Sequence, residues 1–414
     1  MADSPKDAGR RAFMGATVAA GAALMAGQAR AGEAAVPEWT RVLGPGVTAQ
    51  PYGVPSRHES AVVRRMVPWI SAAPETSVSF TPLADLHGII TPNGLHFERH
   101  HAGVPDIDPA AHKLIVHGMV DKPVVLAAAD VMRFPQVSRV HFIECPANTG
   151  LEWRGAQMER LQFTHGMISC CEWTGVPLRA VLEQAGVKPG AAWVLAEGAD
   201  GAAMTRSIPL AKCLDDALLA YAQNGEMLRP EQGYPLRLVV PGFEGNMNVK
   251  WLRRLELGDQ PWHHREESAR YTDLMPDGRA RRFAWQMDVK SVITSPSPEK
   301  PVNGKGFVEI RGLAWSGAGT IARVDVSVDG GKNWTTAQLH GPVLPKALTR
   351  FTLPWQWDGT PALLQSRAID QDGAIQPTLD QLRAVRGVWS IYRNNGIQTW
   401  HLTQSGEVEN VQVS

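Results

Sequence analysis

Cysteine is scarce and unpatterned in this 414-residue chain. Its four cysteines, Cys145, Cys170, Cys171 and Cys213, include no Cys-x-x-Cys pair and no Cys-x-x-Cys-His. That excludes a covalent c-type haem and a zinc knuckle on this chain. It also argues against a disulfide framework, because adjacent Cys170 and Cys171 can hardly bridge without strain. Cys170, Cys171 and Cys213 read instead as small buried hydrophobes. Net charge is lacking too: 41 Lys and Arg balance 41 Asp and Glu, so nothing in the overall balance draws in nucleic acid. Beyond the N-terminus no segment is long and apolar enough to span a bilayer, and no internal repeat or low-complexity tract is present. What remains is an ordinary soluble composition, 44% hydrophobic and 20% charged, with an unusual 14 tryptophans. Each indole buries a large area yet needs a partner for its N–H, which predicts substantial mixed polar and apolar cores.

Residues 1–31 read as an export signal and are set apart from the fold. Arg10-Arg11-Ala12-Phe13-Met14 precedes an uncharged stretch from Gly15 to Gln28, and Ala29-Arg30-Ala31 offers the small-x-small pattern of a cleavage site. Paired arginines ahead of Phe resemble a twin-arginine signal; an ordinary secretory signal that carries two arginines is the alternative. The expectation is a soluble periplasmic protein exported by the twin-arginine route, commonly used by proteins already folded around a cofactor.

Residues 32–80 are punctuated by Pro and Gly with weak periodicity and read as an extended arm. Residues 81–288 mix single strands with short helices. Strands are expected over His112–His117, Val140–Glu144 and Leu236–Val240. Helices are expected over Ala127–Phe134 and from Pro177 to Gly186, the latter with Thr174 as a cap, Pro177 in its first turn and Leu178, Val181, Leu182 and Ala185 on its apolar face. The lack of regular strand-helix alternation points to α+β. A boundary falls at 289–305, where SPSPEKPVNGKG interrupts any element. Residues 289–414 then read as all-β, with strands over Val308–Trp315, Ile321–Asp329, Leu348–Trp357 and Ala362–Ile369, an immunoglobulin-like sandwich.

Cys145 carries the chemistry. It ends an apolar strand and enters the turn-forming run Pro146-Ala147-Asn148-Thr149-Gly150. A thiol so placed can ligate a metal that changes oxidation state, or act as a nucleophile; a buried structural cysteine is the plainer reading. The pairs His100-His101 and His263-His264 can be read as copper or haem ligands, but adjacent histidines are more often solvated or hydrogen-bonded.

Taken together, HFIECPANTG, GLEWRG and SCCEWTGVPLRAVLEQAG, then Gln232 to Gly242 and Asn248 to Leu252, resemble the sulfite oxidase family of molybdenum-cofactor enzymes. Phe97-Glu98-Arg99-His100-His101 ahead of Gly103-Val104-Pro105 belongs to the same resemblance, which covers nearly all of the chain after the signal. It implies a sulfite-oxidase-type molybdopterin-binding domain followed by a dimerisation sandwich. It also implies that Cys145 supplies a thiolate to molybdenum and that Phe97, Glu98, Arg99, His100, His101, Asp200, Gln232, Arg237, Asn248, Val249 and Lys250 hold the pterin cofactor. Arg99 and Tyr271 match substrate-pocket positions, and Arg383 is a looser match for a pocket arginine from the sandwich. Within the family the likeness is greatest to the molybdenum subunits of sulfane dehydrogenases.

Two departures from sulfite oxidases bear on substrate. Thr149 and Gly150 stand where those enzymes have paired arginines, and Gln232 stands in place of a histidine. The loss of an arginine weakens the hold on free sulfite, and glycine is expected to open room for a longer substrate, such as a sulfane sulfur on a carrier protein. The implied reaction is oxygen-atom transfer, with electrons leaving to a c-type cytochrome partner because no haem motif lies on this chain. A free-sulfite dehydrogenase, a cofactor-free periplasmic scaffold and a copper electron-transfer protein are the competing readings.

Overall fold

The strand Val137–Glu144 organises the larger domain. Its last four residues are all buried, because the strand tip is covered on both faces. Phe142 joins one apolar cluster with Leu161, Val292 and Trp315, while Ile143 joins another with Trp173, Leu218 and Val239. Cys145 follows and belongs to the second of these clusters.

This computed structural model describes residues 52–67 and 73–413. The signal expected over 1–31 lies outside the described residues, as does much of the arm expected over 32–80. The described part of that stretch supplies Arg65–Met66 and Val78–Phe80, which pair in a small sheet with Glu98–Arg99. Residues 57–414 form one compact unit.

Two larger sheets build the first domain. One runs Glu226–Met227, Leu218–Gln223, Ile168–Pro177, Val137–Glu144, all antiparallel, with Arg237–Val239 also paired to Leu218–Gln223. The other runs Val124–Ala127, Lys113–Gly118, Leu252–Gly258, Trp193–Gly198, Thr205–Pro209, with one parallel join between Lys113–Gly118 and Leu252–Gly258. Helices Leu178–Ala185 and Leu210–Asp215 share a core with both sheets through Leu178, Leu182, Leu210, Val194, Leu219 and Leu255. This is the α+β arrangement expected.

Two local expectations change. Thr174 does not cap the helix: it lies within the strand Ile168–Pro177, its hydroxyl 2.6 Å from Ser138 Oγ. The chain passes straight from strand to helix, and Leu178 N is satisfied by Ala217 O at 2.8 Å instead of by a side-chain cap. The helix expected over Ala127–Phe134 spans only Ala128–Val131, since Pro135 disfavours helical geometry at the residue before it.

The second domain is a sandwich. Lys290–Ser295, Gly306–Trp315, Thr349–Trp357 and Gln338–His340 form one sheet, and Thr335–Thr336, Ile321–Ser327, Ala362–Asp370, Thr399–Leu402 and Val408–Val411 form the other. Val292, Ile310 and Phe351 meet Val324, Leu364 and Trp400 between them. The same cluster continues into the first domain through Leu83, Phe142, Leu161 and Cys170, so the two domains share apolar packing. All four cysteines are free and buried. Among the described residues no helix is long and apolar enough to cross a membrane.

Leu182 is fully buried in the helix–sheet core, whereas Met132 is 39% exposed. Leu182→Ala should cost about 2–5 kcal/mol through lost burial and a residual cavity, and Met132→Ala roughly 0.5 kcal/mol or less. Urea unfolding midpoints of both variants check this. Equal shifts would contradict the packing described.

Candidate functional site

A single pocket gathers residues that lie far apart in sequence. Cys145, Phe97, Arg99, His100, His101, Asp200, Gln232, Arg237, Asn248, Val249, Lys250 and Tyr271 all line it. Glu98 does not. Strand alternation turns its side chain behind the wall, where it meets Arg64 and takes the Nε2–H of His100 at 2.8 Å. His96, Ile143, Met204, Gly245, Asn246 and Trp251 complete the lining, and these were not singled out from sequence.

Cys145 is held from its backbone. Its N–H donates to Met167 O at 3.0 Å, and its own carbonyl accepts Asn148 N at 2.9 Å. Gly245 backs it closely: a Cβ there would stand 2.9 Å from Glu144 O and 3.3 Å from Cys145 Cα, so only glycine allows this approach. Burial pushes the thiol up to about 11, against smaller opposing effects from the Ala147 backbone and the Arg99 guanidinium. Left alone, this sulfur stays protonated; a bound metal cation would favour the thiolate. Among the described residues no group of three or more His, Cys, Asp or Glu gathers as a metal cage. Cys145 therefore suits a metal whose remaining ligands arrive with a cofactor.

The opposite wall is cationic. Arg237 donates to Gln232 O at 2.9 Å and Asn248 O at 3.0 Å, and its guanidinium lies 4.8 Å from the Trp173 ring centroid. Lys250 donates to Glu231 O at 3.0 Å, Arg99 O at 3.3 Å and His100 Nδ1 at 2.9 Å. Among the described residues neither cation forms a salt bridge with a carboxylate, although Asp200 and Glu231 lie near enough to favour charge on Lys250. Burial lowers the Arg237 guanidinium to about 9 and pulls the Lys250 ammonium well below its usual range, with Arg237 adding repulsion. A buried charge without a counter-ion is costly, so this wall is built for an anion. Arg99 adds a third positive group, anchored to Thr76 O at 2.8 Å.

Hydrogen-bonding capacity is also left open. Among the described residues, Arg237 Nε, His96 Nε2, and both Asn246 Oδ1 and Nδ2 are buried and have no partner. His96 donates through Nδ1 to Phe97 O at 2.8 Å, so its free Nε2 is an acceptor. Two donors and two acceptors facing an anion-binding wall fit a phosphate-bearing heterocycle. Gln232 sends Nε2 to Phe97 O at 3.1 Å, Asn248 Oδ1 accepts Val240 N at 2.7 Å, and Asp200 Oδ1 accepts Met204 N at 3.0 Å. These three side chains set the pocket's backbone as well as its surface.

His100 and His101 are ordered by hydrogen bonds. Burial, with Lys250 and Arg99 adding repulsion, lowers the His100 imidazole to about 3 against a smaller opposing effect from Glu231. His101 falls likewise to about 3 and bonds Tyr271 Oη through Nε2 at 2.8 Å. Tyr271 sits at φ 51°, a conformation that costs strain for a bulky residue. Arg393 holds its carbonyl at 3.4 Å, and the Arg206 guanidinium lies 5.2 Å from its ring centroid. Burial pushes the phenol far up, so it remains a donor.

The sandwich arginine behind the pocket is Arg393, which bridges Glu244 and Asp273. Arg383 lies elsewhere, donating to Trp153 O and Gln412. Arg393 is buried between two buried carboxylates, whereas Arg383 is only half-buried. The expectation for Thr149 and Gly150 is also corrected. Neither lines the Cys145 pocket; both face a neighbouring apolar cavity with Phe80, Met158 and Phe163. Gly150 opens no room, since a Cβ there would stand 2.3 Å from Ile391 O. His263 and His264 do not line the Cys145 pocket either; the His263 ring lies tilted against Phe283, 5.7 Å between centroids.

Residues 101–266 match the family model of the oxidoreductase molybdopterin binding domain, and residues 281–399 that of the Mo-co oxidoreductase dimerisation domain. The chain is 32% identical over 375 residues to the sulfite oxidase of Gallus gallus, covering 84% of this chain and 78% of that protein. It is 32% identical over 311 residues to an NADH nitrate reductase of Solanum lycopersicum, covering 67% of this chain and 34% of that protein. Among solved structures it is similar to the sulfane dehydrogenase SoxCD from Paracoccus pantotrophus. There the identity is 54% and the TM-score 0.90, covering 92% of this chain and 98% of that chain.

The neutral histidines make stability depend on pH. Burial depresses His96, His100 and His101 from 6.5 to about 3. As pH falls the unfolded chain takes up these protons first. Their contribution to stability is therefore full above 6.5 and is lost as pH falls toward about 3. Melting temperature should drop across that window, and His101→Gln, which cannot charge there, should flatten the drop. An unchanged slope would show that His101 is not held neutral.

Proposed function

The chain belongs to the sulfite oxidase family of molybdenum-cofactor oxidoreductases, and from that premise we propose that it oxidises sulfane sulfur carried on a partner protein. The observation that carries this reading is the likeness to a sulfane dehydrogenase over nearly the whole chain, well above the likeness to sulfite oxidases.

In this reading Arg237 and Lys250 meet the cofactor's phosphate, which supplies the counter-charge they lack. Asp200, Gln232, Asn248, Phe97, Val249 and the His100-His101 pair orient the pterin, with Glu98 acting only through His100. Cys145 gives its sulfur to the metal. Once bound, the cofactor supplies a metal centre that accepts electrons from sulfur in pairs and releases them singly. The chain's own groups do the rest. Arg99 places a positive charge toward an anionic sulfur group, and Tyr271 offers a neutral O–H, oriented by His101 and kept protonated by burial. The oxygen atoms added to sulfur come from water, each releasing two protons and two electrons. A separate c-type cytochrome takes the electrons, the sandwich joins two copies of the chain, and the twin-arginine signal delivers the folded protein to the periplasm.

Oxidation of free sulfite is the second reading, because Arg99 and Tyr271 suit any small oxyanion of sulfur. Rates of c-type cytochrome reduction separate the two. With the exported holoenzyme, a carrier protein bearing sulfane sulfur on cysteine should be turned over at least about tenfold faster than free sulfite, a difference of about 1.4 kcal/mol in transition-state stabilisation. Preference for free sulfite would overturn the proposal and leave a sulfite dehydrogenase.

A further inference from the structure

Glu144 immediately precedes Cys145, is fully buried, and does not line the pocket. Its carboxylate is occupied by three donors: Asn148 Nδ2 at 2.9 Å, Lys290 Nζ at 3.2 Å and Trp315 Nε1 at 2.7 Å. Lys290 and Trp315 both come from the sandwich. Lys290 is 2% exposed and also donates to Thr149 Oγ1 at 2.9 Å. One ammonium thus holds both ends of the Cys145–Thr149 loop. Thr149 Oγ1 reaches on to Asn394 O at 2.6 Å, and Asn394 Nδ2 returns to Thr149 O at 3.2 Å. Between these ends, Arg393 N donates to Pro146 O at 2.6 Å. Thr149 lies at φ 62°, a left-handed conformation that a β-branched residue keeps only when held.

Adhesion between domains does not account for this arrangement. The domains already share an apolar cluster, and a buried ion pair adds little stability beyond apolar groups of the same volume. What a pair does add is direction, since fixed donors at both ends of a short loop set the orientation of the side chain between them. We infer that Lys290 and Glu144 are a positioning pair through which the sandwich domain aims the Cys145 sulfur at the metal. This rests on the reading of Cys145 as the metal's protein ligand. The pair touches neither substrate nor cofactor and acts only through the loop.

The test uses exported holoenzyme with Lys290→Met/Glu144→Gln, which leaves no lone buried charge. Thr149→Val and Thr149→Ser are made beside it, and Val324→Ala in the sandwich core serves as a control for destabilisation alone. Molybdenum content, the sulfur-to-metal charge-transfer absorption and the Mo(V) paramagnetic spectrum are read with kcat and KM. The double variant and Thr149→Val should keep molybdenum, shift both spectra, and lower kcat by about 10- to 100-fold with KM little changed. Thr149→Ser, which keeps the hydroxyl, should restore the wild-type spectra, and Val324→Ala should lower only the melting temperature. Wild-type spectra in the double variant, or in Thr149→Val should the double variant not fold, overturn the inference. A wild-type enzyme without a protein sulfur on its metal overturns the ligand reading instead, and the inference falls with it.

Discussion

Two buried cations without carboxylate partners set the terms for this pocket. Arg237 and Lys250 are fixed by carbonyls and by a neutral histidine, so their geometry is settled while their charge is not. An arrangement of this kind persists because the surrounding sheets and helices bury enough apolar surface to carry it. The histidines follow from the same constraint. Buried first of all, and repelled by Arg99 and Lys250, His100 and His101 stay uncharged and serve as hydrogen-bonding groups.

The sulfur sits under a different constraint. The strand leading to Cys145 is buried on both faces, one against the pocket-side core and one against the sandwich. Its following loop is tied to the sandwich by ions and hydrogen bonds. Around the pocket, Thr149, Trp251 and Tyr271 all hold positive φ, and such backbone strain persists only where neighbours over-determine it. The pocket thus depends on both domains: the first supplies its walls, and the second holds the loop after Cys145 and the backbone of Tyr271.

Much of this was legible in sequence, for reasons that differ by element. The strands around Val324 and Val326 announced themselves by alternation, and the helix after Pro177 by its apolar face. The pocket residues were legible only through the resemblance, because no local pattern ties Phe97 to Lys250 or Tyr271. His96 and Asn246 adjoin quoted motifs and Trp251 lies within one, and that position was the one available signal. The roles of Glu144, Lys290 and Arg393 were not legible, since a buried ion pair leaves no periodicity and here joins residues more than a hundred positions apart. Thr149 and Gly150 misled for a related reason: their place after the cysteine suggested substrate contact, whereas the loop turns them toward the sandwich.

The central claim is that Cys145 binds the molybdenum of a pterin cofactor held by this pocket. X-ray absorption at the molybdenum edge, with metal analysis, on exported wild-type protein and Cys145→Ser tests it most directly. The account predicts stoichiometric molybdenum in the wild type and one fewer sulfur neighbour in the variant. Carefully matured wild-type protein without molybdenum, or identical sulfur coordination in the two proteins, would contradict it.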